Sequence, residues 1–148
     1  MKIVTIDKEN VKEINEIKNY LIENDKDMLS NIPLGENASD NQVIEIAYNK
    51  TNDKVTNVCF IDGVKDISFF GLKISNLSDG SIERNKNFIE EVTNYVLEDL
   101  DAETVAIFSK SKTNLYEDLG YEPLGECEGS FTYIKNRNIS KKNEGIRI

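Results

Sequence analysis

The chain contains no histidine, and that absence decides which side chains remain to move protons. Ser-His and Cys-His catalysis, imidazole metal ligands and the commonest general base near neutral pH are excluded. Acid–base work falls to carboxylates, tyrosine, cysteine, lysine, backbone and water. Tyr116 begins the run Tyr116-Glu-Asp-Leu-Gly-Tyr121, which reads as a short helix closed by glycine. Its phenol serves either as a proton donor or as an amphipathic ring packing that helix onto a sheet. Glu45 stands between Ile44 and Ile46, out of phase with its apolar neighbours on a strand. It faces either an acceptor cleft, where it takes a proton from an amine through water, or solvent, which is the plainer reading.

A third constellation is Gly80-Ser-Ile-Glu-Arg-Asn85, which leads into a helix over Lys86–Asp101. Free N–H groups and the dipole of a helix start attract anions, so this segment is either a phosphate loop or an ordinary helix start. Glu83 bears on the choice, because a carboxylate about 5 Å from a phosphate costs about 3 kcal/mol at an effective dielectric near 20. Arg84 and Lys86 offset that cost, or Glu83 turns outward as a first-turn acid. Cys59 and Cys127 read as ordinary buried or half-buried thiols of a reducing compartment. Two cysteines without histidine make none of the common zinc sites.

The elements that must position these groups follow from periodicity. Lys2–Ile6 is a strand, and Asp7 caps a helix whose Val11, Ile14, Ile17 and Leu21 recur at helical spacing. Met28–Asp40 is a loop with a helical turn at its start, and Asp25, Asp27 and Asp40 are loop solvation. Three strands follow, Val43–Tyr48, Val55–Ile61 and Ile67–Ile74, with turns at Asn49–Lys54 and Asp62-Gly63. Phe88, Ile89, Val92, Val96 and Leu100 make the apolar stripe of the longest helix. Thr104–Ser109, the helix Thr113–Leu119 and the strand Ser130–Lys135 complete the order. A meander followed by strand–helix–strand predicts a mixed α/β sheet with helices on its faces.

A chain of 148 residues with 39% hydrophobic and 30% charged residues predicts one globular domain. No apolar run reaches the length of a membrane span, and the N-terminus turns polar too early for a signal peptide, so a cytoplasmic protein without a membrane partner is expected. A net charge of −9 and a pI near 4.6 argue against nucleic acid as a partner. The segment Lys135–Ile148 holds five basic residues against Glu144, a net +4 that leaves −13 on residues 1–134. It is expected to be a basic, flexible tail behind a single domain over residues 1–134. A free sheet edge is expected at Phe131–Ile134, open to a second copy in a homodimer or covered within the monomer.

The strand Thr104–Ser109 running into Thr113–Gly125 resembles the GNAT (N-acetyltransferase) superfamily, whose members usually carry a tyrosine, a leucine, a glycine and an aromatic in the order seen at 116–121. The order of elements over about residues 43–135 is similar as well. The resemblance implies the GNAT α/β fold and acetyl-CoA-dependent transfer to an amine of a small molecule or peptide. It gives Tyr116 the task of protonating the departing thiolate. Coenzyme A would lie between the Phe69–Ile74 strand, which splays from its neighbour, and the Thr104–Ser109 strand. Leu72, Ile74 and Ser109 would hold its arm, and Ser81, Arg84 and Asn85 its pyrophosphate. This chain departs from the family at Glu83 and Asn85, where glycines are preferred, and at Ser109, often asparagine. Those departures define an alternative, a GNAT-fold binding or regulatory module that has lost its pyrophosphate loop. A third reading is an unrelated α+β domain acting through protein contacts.

Overall fold

The computed structural model describes residues 1–5, 8–32, 41–75, 82–110 and 113–137. Strands β1 (Lys2–Val4), β2 (Gln42–Thr51), β3 (Lys54–Val64) and β4 (Phe69–Ile74) pair antiparallel in sequence order. β5 (Thr104–Ser109) lies parallel to β4, and the hairpin of β6 (Glu122–Cys127) and β7 (Ser130–Asn136) places β7 beside β5. The result is one mixed sheet of seven strands in the order β1-β2-β3-β4-β5-β7-β6. The helices are α1 (Val11–Asn24), α2 (Lys26–Leu29), α3 (Ile82–Asn94), which runs on into a wider turn over Tyr95–Asp99, and α4 (Leu115–Asp118).

Alternation along the strands divides the core in two. Phe70, Leu72 and Ile74 of β4 and Val105 and Ile107 of β5 pack with Phe88, Ile89 and Val92 of α3. On the other face Ile46 and Tyr48 of β2 meet Ile14, Ile17 and Leu21 of α1. Ile17 and Leu21 are wholly buried, each contributing about 1.5–3 kcal/mol of transfer free energy. Val11, counted into the same stripe from sequence, is instead 54% exposed at the helix start.

The turn at Thr51–Lys54 carries Asn52 and Asp53 at φ 52° and 63°, the two left-handed positions that suit the twist of a tight hairpin. The turn expected at Asp62-Gly63 is not there. β3 runs through Gly63 to Val64, and the chain reverses in a 3-10 turn at Lys65–Ile67 closed by Ser68 at φ 51°. Gly63 is required for packing: it pairs with Phe70, and a Cβ built on it would stand 2.1 Å from that ring.

Three further expectations change. β6 was not anticipated, because Pro123 and Gly125 break its pattern, and it covers β7, so the free edge is β6 and not Phe131–Ile134. Cys127 lies exposed on that edge strand, whereas Cys59 is buried as expected. Lys135–Arg137 belong to the domain and not to a tail. The Arg137 guanidinium donates to the carbonyls of Leu97 and Ala102 and, at 2.8 Å, to the Asp101 carboxylate, so it closes the end of the long helix. Asp7, the loop 33–40, Ser81 and the tail 138–148 lie outside the described residues.

Because the Phe70 ring occupies the space over Gly63, Gly63→Ala is expected to lower stability by about 1–3 kcal/mol, as overpacking does. Urea titration measures this, and an unchanged midpoint would remove the packing explanation.

Candidate functional site

The Tyr116–Tyr121 run earns its spacing through backbone geometry. Gly120 sits at φ 92°, its N–H bonds to the Glu117 carbonyl, and the Tyr121 N–H bonds back to Tyr116 at 3.0 Å, the Schellman closure that ends a helix in a left-handed residue. Lys135 Nζ donates to the Leu119 carbonyl at 2.8 Å, a cation on the negative helix end. The Tyr121 ring is buried, and its hydroxyl pairs with that of Thr93 on α3. Held at its C-terminal end, α4 presses Tyr116 into the core against Tyr133, ring centroids 4.8 Å apart. The Tyr116 side chain is 0% exposed, and its hydroxyl donates to Ser109 Oγ at 3.2 Å.

Ser109 closes β5, where the ladder between the parallel strands stops. Pairing runs from Phe69↔Thr104 to Lys73↔Phe108, and only Ile74 and Ser109 lie beyond it. The parting expected along the Phe69–Ile74 strand is therefore confined to its last residue. The reason is the regular register: β4 matches β3 and β5 without the shift that would bend it away. A cleft of about 460 Å³ opens at those strand ends. Its walls are Lys73, Ile74, Phe108, Ser109 and Lys110 from the strands, Asp25, Asp27 and Met28 from α2 and its cap, and Glu128–Ser130 from the β6–β7 turn.

A second groove, about 280 Å³, shares Lys73 and Phe108 with the cleft and extends over Phe60, Phe69, Gly71, Asp62 and Asn31. It runs along the face of β4 opposite Leu72, because successive side chains point to opposite faces. A Cβ at Gly71 would come within 3.1 Å of Phe108, so the glycine keeps this floor low. Asp25 caps α2 by accepting the Met28 N–H at 3.1 Å. Asp27 pairs with Lys110 across the cleft mouth, and that hydrogen bond holds its carboxyl below the usual range.

Of the residues expected at the site, Ile74 and Ser109 line the cleft, and Tyr116 reaches it through Ser109. Leu72 does not: it is fully buried, paired with Ile61 and Ile107 in the closed part of the ladder. Glu45 lies level with Ile61 on β2 and accepts the Tyr95 hydroxyl at 2.8 Å, outside the cleft walls. Asn85 is buried in α3, its Oδ1 accepting from Asn57 Nδ2 at 2.9 Å. Arg84 lines a separate opening of about 730 Å³ between α1 and the β2–β3 hairpin. Glu83 is exposed, as a first-turn acid of α3. Sequence reasoning missed Lys73, Phe108 and Gly71. A lysine and a glycine alternating with buried leucine and isoleucine on a central strand were the available signal that one face is open.

A mixed seven-stranded sheet with helices on its faces is the fold seen in solved GNAT acetyltransferases. Among solved structures, the aminoglycoside 6'-N-acetyltransferase from Enterococcus faecium is 12% identical, with TM-score 0.59 over 92% of this chain and 97% of that one. A probable acetyltransferase from Staphylococcus epidermidis is 15% identical, with TM-score 0.59 over 93% and 99%. A mutant of the spermidine N-acetyltransferase SpeG from Vibrio cholerae is 11% identical, with TM-score 0.58 over 95% and 99%. At these identities the likeness establishes the fold. No protein-family model and no curated protein matches the sequence.

Burial pushes the Tyr116 phenol up to about 12 and shifts Tyr20, Tyr48 and Tyr121 the same way. A group whose folded pKa is raised stabilises fully below its unfolded value, near 10 for tyrosine, and loses that stability as pH climbs through the folded value. Stability attributable to Tyr116 is thus expected to hold to about pH 10 and to vanish by about pH 12. Tyrosinate absorbance followed beside near-ultraviolet circular dichroism checks this. Ionisation of all tyrosines with the dichroism intact would contradict the burial.

Proposed function

We propose that this protein is an acetyl-CoA-dependent N-acetyltransferase acting on an amine of a small molecule or peptide. The observation that carries the reading is the cleft at the ends of β4 and β5, where the ladder stops at Lys73↔Phe108 and Ser109 joins the opening to Tyr116. Pantetheine would enter beside Ile74 and Ser109, and Arg84, in the first turn of α3, would face the pyrophosphate. Glu83 is exposed, so solvent and salt screen the repulsion between its carboxylate and a bound pyrophosphate.

The amine would arrive from the opposite face. The groove over Phe60, Phe69 and Phe108 suits the apolar body of a small acceptor, and Asp62 in its lining suits a positive charge. Relatives in fold include enzymes named for aminoglycosides and spermidine, both amines, which agrees with an amine acceptor. The site leaves the general base with no assignment, because Glu45 is engaged by Tyr95 outside the cleft.

The second reading, a binding module without catalysis, draws on the closed ladder and on Asn85, whose amide is spent on Asn57. Thermal unfolding with acetyl-CoA separates the two. Ligand at about 100 times its dissociation constant is expected to add about 2.7 kcal/mol, several degrees for a domain of this size. Coenzyme A release with a panel of primary amines then reports turnover. No shift at millimolar acetyl-CoA rejects the enzyme, and a shift without turnover on any amine favours the module.

A further inference from the structure

Resting on the acetyltransferase reading, we propose that Ser109 is the protein group that meets the departing sulfur, and that Tyr116 is a positioning residue that holds the serine hydroxyl. Ser109 stands one residue beyond the last ladder pair, lines the cleft and is 6% exposed. Tyr116 lies behind it, is 0% exposed and is not part of the cleft wall. A molecule entering the cleft therefore meets Ser109 Oγ before the phenol, whose hydrogen is directed at that oxygen across 3.2 Å.

The geometry selects Ser109, and the protons balance with its hydroxyl as the relay. In the transfer, nitrogen bonds to the acetyl carbon and gives up one proton. The carbon–sulfur bond breaks with its electron pair on sulfur, which takes up one proton. Ser109 gives its hydroxyl hydrogen to sulfur and receives the proton that nitrogen loses, so it ends as it began, and Tyr116 keeps its own hydrogen throughout. The Tyr116 ring is locked by Tyr133 and by the closure of α4, so the bond it offers fixes where the serine oxygen sits.

The test compares Ser109→Ala, Ser109→Thr and Tyr116→Phe in the full chain, using acetyl-CoA and an amine on which the unaltered protein turns over. Ser109→Ala is expected to lower kcat about 100-fold or more, the scale of a lost proton-transfer group, with the acetyl-CoA dissociation constant unchanged by calorimetry. Ser109→Thr, which keeps the hydroxyl, recovers most of that loss, and Tyr116→Phe lowers kcat less than Ser109→Ala does. A larger loss in Tyr116→Phe than in Ser109→Ala overturns the proposal, as does a Ser109→Ala enzyme with kcat near that of the unaltered protein. If Tyr116→Phe does not fold, as judged by its melting curve, the alanine and threonine pair at position 109 decides. An unaltered protein that neither binds nor consumes acetyl-CoA overturns the parent reading and this one together, a result distinct from any pattern among the variants.

Discussion

The parallel pairing of β4 with β5 is the constraint on which the rest depends. Parallel strands cannot be joined by a tight turn, so a long connection must cross the sheet, and the chain supplies α3 for it. That crossing buries Phe88, Ile89 and Val92 against β4 and β5 and fixes one side of the sheet as core. It also leaves the carboxyl ends of two adjacent strands pointing the same way. Where the ladder stops, both chains must turn aside, and open space at that rim follows from topology alone.

Much of the fold was legible because its strongest signals are local. The run from Tyr116 to Tyr121 encodes a helix stop in a single glycine, and that motif was readable without knowing what surrounds it. The apolar period of α3 and the strand-like runs of β4, β5 and β7 were equally plain. What escaped notice was set by partners distant in sequence. Gly63 looks like a turn residue until the Phe70 ring is placed over it. β6 holds a proline and a glycine that count against a strand, yet an edge position with a bulge between Pro123 and Gly125 accepts both.

The site was less legible, for the same reason. Glu45 and Asn85 have chemistry to offer, but each is committed to a polar partner, Tyr95 and Asn57, lying 50 and 28 positions away. No window of sequence contains such a pair. Ile74 and Ser109 were found through the family resemblance, which places the coenzyme between the two strands that they end. The aromatic floor was hidden by phase: Phe69 and Phe108 look like core residues, and only the sheet order shows that, beside the buried Phe60, they line one groove.

The outermost strand has a consequence of its own. An uncovered backbone rim is an invitation to endless stacking, since each unpaired amide can recruit another chain. Here the six residues of β6 are all exposed, with Leu124 at 64%, and still the rim is a poor template. Proline removes a donor, the bulge spoils the repeat, and Glu122, Glu126 and Glu128 would crowd like charges onto any copy that tried to align. The sheet is thereby given a terminus that resists extension by another strand.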